Sequence, residues 1–351
     1  MEDKAEFVYR QYDLDVMRTY KIKGCVCLDT KQGEYVIRPY GESAGRAAFE
    51  NSLKSYLMDT GFKNVDIIFP NSSGELISFD QYRNPVVVKK LIKGRECSLT
   101  DRKELKAAAK ALAGLHIKLE EGADSFIAPK GEEGSYVTDK TGSSGRYQAA
   151  VKDIRKMLGK HCLELARVRK YILSGRRNNE FESEFIRCFD IYYRQAQEAP
   201  ELLEGDWYEG YMDMIRRKKT VCHQSFDQHS ILFTGEGTKD YGIINFEHCG
   251  VSSLMTDLYQ ILRKALEKNE WDTELGRDII DSYDSERDIS EDEMRILKAM
   301  LRFPEKFWKL ADRYINRKKS LITQRSMIKL KALNDQEENR KKFIKFLEEA
   351  Y

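Results

Sequence analysis

The order of strand-like and helix-like segments is the feature that most constrains the fold of this 351-residue chain. About the first ninety residues have the alternation and β-forming residues typical of strands, with one helical segment among them. From residue 147 onward nearly everything has helical period, except 220–246, which holds two short β-like runs. This order predicts an α+β fold of two lobes: a β-rich lobe over 1–93, and a mainly helical lobe over 94–351 that contains a hairpin at 220–247.

The N-terminal lobe is predicted to begin with a β-hairpin. Tyr20 to Asp29 is rich in β-forming residues, a turn follows at 30–33, and Glu34 to Pro39 returns as the second strand. The other elements predicted for this lobe are a helix over 42–60 and strands over 65–69, 75–79 and 85–91.

The helical lobe is predicted to open with a capped helix. Asp101 and Glu104 have the three-residue spacing of a capping box, and the Ala- and Leu-rich helix that follows is predicted to end near Leu119. The stretch 122–145 is rich in Gly, Ser and charged residues and is predicted to be a mobile loop.

Composition excludes several classes of protein. The 60 basic and 58 acidic side chains leave a formal charge of +2, whereas a nucleic-acid-binding domain is usually markedly basic, so we expect no nucleic-acid partner. No apolar run approaches the roughly 18 residues that a membrane helix needs. The charged start, Met1-Glu2-Asp3-Lys4, lacks the apolar core of a signal peptide. We therefore expect synthesis in the cytoplasm and no membrane insertion.

The cysteines indicate buried thiols rather than a metal site. Seven are scattered along the chain, and none forms a CxxC pair. Such spacing is poor for zinc, so we assign no metal ligands and expect reduced, buried side chains.

The most informative stretch runs from His223 to Leu232 and is followed by Ile243-Ile244-Asn245-Phe246-Glu247. Its layout resembles the aminoglycoside-phosphotransferase and choline-kinase branch of the protein-kinase-like superfamily. In that branch a loop reads H-G-D-x-x-x-x-N-I-L and a later strand ends in I-D-F-E. Asp257-Leu258 matches the D-L that begins the next helix there. The resemblance implies a protein-kinase-like fold and a site for ATP, with or without Mg²⁺.

The three positions that carry the chemistry in that branch are changed here. Ser225 stands at the position of the catalytic-base Asp, Ser230 at that of the metal-binding Asn, and Asn245 at that of the metal-binding Asp. A Ser hydroxyl is a far weaker base than a carboxylate, and general base help is commonly worth about 10²–10⁴-fold. Magnesium prefers hard anionic oxygens, which Asn and Ser do not supply. The substitutions predict a degraded phosphotransfer site.

Two carboxylates and one histidine remain near these positions. Asp227 is a possible surrogate base and Glu247 a possible surrogate metal ligand, but each also has a structural interpretation, as a loop cap and as a hydrogen-bonding partner. We favour the structural interpretations. His223 matches the loop histidine that braces the catalytic segment in kinases, which is a structural role.

The N-terminal lobe offers a candidate phosphate-contacting pair. Active kinases use a strand lysine that pairs with a helix glutamate. Arg38 occupies the expected lysine position, and Glu50 on the following helix is the matching acid. Arg keeps the charge but is planar and bulkier than Lys. The alternative is a surface arginine at the end of a strand.

Further motifs resemble a narrower family, the CotS-like spore-coat proteins. These motifs are Leu91-Ile92-Lys93-Gly94-Arg95-Glu96-Cys97, His223-Gln224, Phe303 to Trp308, Tyr314, Lys318-Lys319 and Leu330. The resemblance implies a role in coat assembly, with other spore-coat proteins as partners and deposition on the spore coat of a spore-forming bacterium. Members of that family commonly have Asp where this chain has Ser225.

Two functions compete at this point. The first is a kinase-like coat protein that acts by binding and whose small-molecule substrate is doubtful. The second is an atypical phosphotransferase, acting on a small molecule or a protein, that uses Asp227 and Glu247 as surrogate acids. A third hypothesis is a scaffold whose shape responds to a nucleotide without chemistry.

Overall fold

The structure, a computed structural model, describes residues 4–126, 151–175, 179–316 and 324–351. By their contacts these described residues form two units. The first unit holds 4–98, 115–126 and 221–250, and the second holds 99–114, 151–175, 179–220, 251–316 and 324–351. The hairpin at 220–247, predicted as part of the C-terminal lobe, thus groups with the N-terminal strands. The predicted division at residue 93 stays a prediction.

Helices and strands follow the predicted order. The described helices are α1 (Lys4–Tyr9), α2 (Ala44–Asp59), α3 (Arg102–Phe126), α4 (Ile154–Ser174), α5 (Glu180–Glu201), α6 (Asp206–Lys218), α7 (Met255–Lys268), α8 (Thr273–Asp284), α9 (Glu291–Arg302), α10 (Glu305–Asn316), α11 (Gln324–Asp335) and α12 (Glu337–Ala350). The described strands are β1 (Val16–Ile22), β2 (Cys25–Thr30), β3 (Gly33–Pro39), β4 (Ile68–Phe69), β5 (Ser78–Phe79), β6 (Pro85–Lys90), β7 (Arg95–Glu96), β8 (Val221–Cys222), β9 (Ile231–Phe233), β10 (Tyr241–Ile243) and β11 (Gly250–Val251).

The first unit is built on an antiparallel sheet in the order β1-β2-β3-β6-β4, with β5 also paired to β6. Side chains of a strand alternate between the two faces of its sheet. On β6, Val86 and Val88 belong to one apolar cluster, and Val87 packs with Ala47 of α2 on the other face. Lys89 follows Val87 on that second face, so a lysine near the end of the buried strand is directed toward α2.

One predicted strand is two strands in the structure. Tyr20 to Asp29 was predicted to be continuous, but the chain turns at Lys23 and Gly24, and the flanking residues pair as β1 and β2. Both turn residues have positive φ, 48° and 84°, which suits a two-residue hairpin turn. Lysine is uncommon in this conformation, so little in the sequence indicated the turn. The predicted hairpin is instead a three-stranded meander of β1, β2 and β3.

The hairpin β9–β10 joins the first unit through two contacts. Arg95 and Glu96 of β7 pair with Phe233 and Leu232 of β9, and Ile243 of β10 forms a parallel bridge with Val65. These pairings are the physical reason why the hairpin groups with the N-terminal sheet.

Gly94, just before β7, allows the connector to approach β9 closely. A Cβ atom at Gly94 would lie 2.9 Å from both the Leu232 Cβ and the Phe233 carbonyl oxygen, closer than van der Waals contact permits. Close packing of the connector against β9 therefore favours a glycine at this position.

The second unit is a bundle of capped helices around an aromatic core. Asp101 Oδ1 accepts the Glu104 backbone N–H at 3.2 Å, and complete capping boxes begin α5 at Asn179 and α9 at Ser290. The rings of Phe185 and Phe307 stack with centroids 4.5 Å apart. The predicted helix ending near Leu119 continues to Phe126.

Other predictions meet the described residues only in part. The predicted loop at 122–145 lies mostly outside them, and 122–126 are helical within α3. No disulfide joins the seven cysteines, all of which are described, and six of them are buried. Of the helices described, none is both long and apolar enough to cross a membrane.

Candidate functional site

Five charged residues of the first unit come together between α2 and β6. Glu50 and Lys54 are one turn apart on α2, Asp66 precedes β4, Lys89 lies near the end of β6, and Glu247 lies in the 3-10 turn after β10. We call these five residues the buried charge cluster. Its three carboxylates and two ammonium groups sum to a formal charge of −1.

Lys89 is the centre of the buried charge cluster. Its Nζ lies 2.7 Å from Glu247 Oε1, 2.9 Å from Glu50 Oε1 and 3.5 Å from Asp66 Oδ2, and its side chain is 1% exposed. Burial alone favours the neutral amine, but the three carboxylates outweigh it and raise the pKa of Lys89 far above its ordinary 10.5. The ammonium is therefore charged at neutral pH.

The carboxylates respond in the opposite direction. Burial alone would raise the pKa of Glu247, but the Lys89 ammonium outweighs it and holds that pKa below its ordinary value. The pKa of Asp66 is likewise lowered, because Lys54 and Lys89 outweigh its complete burial. Charged pairs in such surroundings stay ionised across the neutral range.

Glu50 is fully occupied within the cluster. The Tyr40 hydroxyl donates to Glu50 Oε2 at 3.0 Å, while Lys54 and Lys89 both donate to Oε1. Burial and the nearby carboxylate raise the pKa of Tyr40, which keeps it a donor. The predicted pairing of Arg38 with Glu50 is replaced by this arrangement, because β6 supplies a lysine to the face that α2 covers.

Arg38 has a different position from the one predicted. Its Nη1 donates to the Cys25 Sγ at 3.1 Å, and within the described parts of the chain no carboxylate pairs with its guanidinium. Because it sits near the end of β3 and is only half-buried, its charge is presented to open space rather than to the cluster.

Two cavities of the first unit meet at Arg38. The hinge cavity, of about 570 Å³, is lined by apolar residues such as Val36, Leu232 and Ile244 and by the connector 91–94. The loop cavity, of about 430 Å³, is lined by the predicted loop residues of 225–230 and by Glu247. Arg38, His229 and Asn245 line both cavities. Six predicted site residues thus line two adjoining cavities that share Arg38, namely Arg38, Ser225, Asp227, Ser230, Asn245 and Glu247, whereas Glu50 and His223 are buried away from both.

His223 braces the loop from inside. A backbone N–H can only donate, so the 3.2 Å contact from Ser225 N makes His223 Nδ1 the acceptor. Nε2 then carries the proton and donates to the Ile244 carbonyl oxygen at 2.9 Å. The ring is fully buried and packs on Phe246 with centroids 4.6 Å apart. Both ring nitrogens serve the backbone of the loop and of the following strand.

The loop satisfies its own polar groups. Ser230 is buried, and its Oγ donates to the Ser225 carbonyl oxygen at 2.7 Å. Asp227 Oδ1 accepts the His229 backbone N–H at 2.8 Å, and Ser230 N donates to the Asp227 carbonyl oxygen at 2.9 Å. Asp227 therefore has the capping contact of an Asx turn, which matches its structural interpretation.

Asn245 completes the loop cavity with a neutral amide. Its backbone is left-handed, with φ 69° and ψ 47°, a conformation that Asn tolerates better than most residues. Its N–H donates to Asp66 Oδ2 at 3.2 Å, and its Nδ2 donates to the His229 carbonyl oxygen at 3.2 Å.

The metal ion that kinase-like proteins use does not fit these side chains. Magnesium needs an octahedral set of oxygens, usually with one or two carboxylates. Here the Ser230 and Asn245 side chains are neutral, the Ser230 Oγ donates to a backbone carbonyl, and one oxygen of Glu247 is paired with Lys89. Among the residues described, no group of three or more His, Cys, Asp or Glu side chains is placed to hold a metal ion.

Sequence reasoning missed Lys54, Asp66 and Lys89. Lys54 had a weak signal, since it lies four residues after Glu50 on a predicted helix. Lys89 had a better one, because a lysine directly after Val86-Val87-Val88 in a central strand requires a buried partner. Asp66, between two short elements, had none.

Solved structures with the same fold are phosphotransferases and kinases. One is an aminoglycoside phosphotransferase from Alicyclobacillus acidocaldarius, with a TM-score of 0.79 at 18% identity, covering 99% of this chain and 96% of that one. A second is the spectinomycin phosphotransferase APH(9)-Ia in complex with ADP and spectinomycin, with a TM-score of 0.62 at 15% identity, covering 97% and 96%. A third is an amicoumacin kinase in complex with AMP-PNP and Ca²⁺, with a TM-score of 0.55 at 11% identity, covering 97% and 92%. The chain therefore has the two-lobed protein-kinase-like fold of the aminoglycoside phosphotransferases, as predicted.

A family comparison narrows this class. The family described as "Spore coat putative kinase YutH" matches residues 152–347, more than half of the chain. The chain belongs to this spore-coat family, which confirms the predicted resemblance to CotS-like proteins. A search of curated proteins finds no match.

Proposed function

We propose that this chain is a kinase-like component of the spore coat that acts by binding and does not transfer phosphate. The observation that carries the proposal is the state of the three chemical positions. Ser225, Ser230 and Asn245 are neutral, and the carboxylate of Glu247 is in an ion pair with Lys89. Phosphoryl transfer depends on positioning and on neutralising phosphate charge, largely through a metal ion, so the loss of base and metal ligands removes its main contributors.

Family membership supports the place of action. A spore-coat family fits deposition on the spore coat, with other coat proteins as partners. A protein that no longer turns over a substrate can still present a folded surface to such partners, since fold and activity are separable.

The hinge cavity supports a nucleotide as the bound small molecule. It combines apolar walls, which suit a planar base, with the Arg38 guanidinium, which suits a phosphate. Structures with this fold are in complex with ADP or AMP-PNP. We propose that an adenine nucleotide enters this cavity.

The competing phosphotransferase hypothesis finds less support. It needs Asp227 as a base, yet Asp227 Oδ1 accepts the His229 N–H as a turn cap. It needs Glu247 as a metal ligand, yet Lys89 lies 2.7 Å from that carboxylate. These contacts support the structural interpretation of both acids.

A complementation experiment tests the proposal. In a spore former that lacks this gene, coat assembly is expected to be restored equally by the natural chain and by an Asp227→Asn, Glu247→Gln double variant, if the variant is present at equal amount. The purified chain with ATP and Mg²⁺ or Mn²⁺ should show no turnover above buffer. Turnover that the double variant abolishes, together with failed complementation, would overturn the proposal in favour of catalysis.

A further inference from the structure

The buried charge cluster already contains a cation where its carboxylates converge. Lys89 Nζ is within 3.5 Å of Glu50, Asp66 and Glu247, and no solvent reaches it in any quantity. Three carboxylates around one point are the usual surroundings of a divalent ion, which neutralises them by coordination. Here the ammonium group of the chain itself neutralises them by hydrogen bonds.

This arrangement pairs one oxygen of Glu247 with Lys89, so that carboxylate is already neutralised and is a weaker ligand for a metal in the loop cavity. The other positions that kinase-like proteins use, Ser230 and Asn245, are neutral and bound to backbone carbonyls. A divalent ion would have to displace Lys89 from a dry site, and burial penalises a charge that is left without its partner. The cluster therefore disfavours metal recruitment, independently of the substitutions in the loop.

Arg38 supplies a cation that the cluster does not use. It lines both cavities, and its contact in the structure is the Cys25 sulfur at 3.1 Å rather than a carboxylate of any described residue. A guanidinium matches phosphate geometry with two parallel hydrogen bonds and needs no metal bridge.

We infer that Lys89 neutralises the carboxylates that would otherwise attract a divalent metal, so that the hinge cavity binds an adenine nucleotide without a metal ion and Arg38 holds its phosphates. This inference rests on the proposed binding function and adds the mode of recognition. The nucleotide is a ligand that stays intact: of the described acids that line the loop cavity, Asp227 caps the turn and Glu247 pairs with Lys89.

The first test is calorimetric titration of the whole chain with ADP, in EDTA and then in Mg²⁺. We expect the two dissociation constants to agree within about twofold, because no metal bridges protein and phosphate. Arg38→Ala should weaken binding about tenfold or more, as expected for loss of hydrogen bonds to a charged group, and Arg38→Lys should recover part of the loss. Arg18→Ala is the matched control: Arg18 lines the same cavity but pairs with Asp29, and we expect less than a twofold change. Binding that requires Mg²⁺, or absence of binding to ADP, AMP and ATP alike, would overturn the inference.

The second test asks whether Lys89 occupies a cation site. Lys89→Met leaves Glu247 without an ammonium partner and leaves Glu50 and Asp66 with Lys54 alone, so we expect the variant to gain binding of Mn²⁺, seen as a rise in melting temperature absent from the natural chain. The double variant Lys89→Met, Glu247→Gln should lose most of that gain. If Lys89→Met melts at the same temperature with Mn²⁺ and with EDTA, Lys89 is not what keeps a divalent metal from these carboxylates. Should Lys89→Met fail to fold, the Mg²⁺ comparison on the natural chain decides alone.

The two proposals fail in different ways. Nucleotide binding that depends on Mg²⁺ but gives no turnover would refute the inference and leave the binding function intact. Release of phosphate from ATP, measured in the same samples and abolished by Asp227→Asn, would refute the binding function instead.

Discussion

The buried charge cluster and the loop 223–230 lie in the same unit, yet they use their polar and charged side chains in opposite ways. The cluster keeps three carboxylates and two lysines in close contact. The loop has neutral side chains at Ser225 and Ser230, and its Asp227 and His223 bind backbone groups of the loop and of the following strand. Charged side chains are thus paired with one another in the cluster, whereas these side chains of the loop bind the backbone.

This comparison separates two roles that kinases combine. In an active enzyme the strand lysine contacts the phosphates and is held in place by its ion pair with the helix glutamate. Here Lys89 pairs with the helix glutamate, Glu50, in the interior, whereas Arg38, at the position predicted for the strand lysine, lies on the cavity wall.

The largest effect is expected inside the cluster. Glu50→Ala leaves Lys54 and Lys89 short of a carboxylate in a buried site and removes the acceptor of Tyr40. Breaking a buried pair from one side costs about 3–5 kcal/mol, so the free energy of unfolding in urea should fall by that order. Glu42→Ala is the control, since Glu42 is exposed and 3.7 Å from His248, and it should change stability by less than about 0.5 kcal/mol. Equal effects of the two variants would show that the cluster is not a stabilising core.

The sequence predicted the fold and the loop but not the cluster, for a physical reason. The periods of helices and strands are local patterns, and the motif residues from His223 to Glu247 lie in one continuous stretch. Both the fold and the loop could therefore be predicted from the sequence. The partner of Glu50 is decided by which strand lies over α2. Lys89 is 39 residues away and reaches Glu50 only through the pairing of β3 with β6. No local sequence pattern specifies a strand pairing between segments so far apart in the chain.

The turn at Lys23-Gly24 was missed for a different reason. A strand that continues and a strand that reverses through two residues have nearly the same composition on either side. Only Gly24 marked the reversal, and a lone glycine within a strand pattern also indicates a bulge. The error lengthened one strand and left the sheet one strand short, without moving the site.

A smaller effect is expected where the connector meets the hairpin. Gly94→Ala places a methyl group 2.9 Å from Leu232 Cβ and from the Phe233 carbonyl, so the connector or β9 must shift. Overpacking of this kind costs about 1–3 kcal/mol, measurable by urea unfolding. Gly159→Ala, in α4 with nothing within 4 Å, is the matched control and should stabilise by about 0.5–1 kcal/mol. If Gly94→Ala were as stable as the natural chain, the close approach would be unnecessary.

The pH dependence of stability distinguishes the charged cluster from the neutral loop. The pKa values of Glu247 and Asp66 are lowered from their ordinary 4.5 and 3.8 by Lys89 and Lys54, although burial opposes the change. Their stabilisation is therefore complete above the ordinary values and is lost as the pH falls through the lower, folded-state values. Because the pKa of Lys89 is raised, its contribution is complete below 10.5 and declines only at higher pH.

Melting temperatures from pH 7 down to pH 3 check this assignment. Glu247→Gln should be less stable than the natural chain at pH 7, since it lacks the ion pair with Lys89. The two melting curves should converge as the pH falls, because the natural chain then loses the same charge by protonation. Parallel curves across the whole range would place the acid sensitivity elsewhere in the molecule.

The smallest effect is expected at Asp227. An Asn side chain keeps an oxygen that can accept the His229 N–H, so Asp227→Asn should change stability by less than about 0.5 kcal/mol, while Asp227→Ala should cost about 1 kcal/mol by removing the cap. Neither should alter ADP affinity by more than about twofold, because the carboxylate serves the loop and not the ligand. The surrogate-base hypothesis predicts instead that Asp227→Asn and Asp227→Ala both abolish turnover, whatever their effect on stability. Asp227 is where the two interpretations of the loop separate most cleanly, since the charge matters to chemistry and only the oxygen matters to the turn.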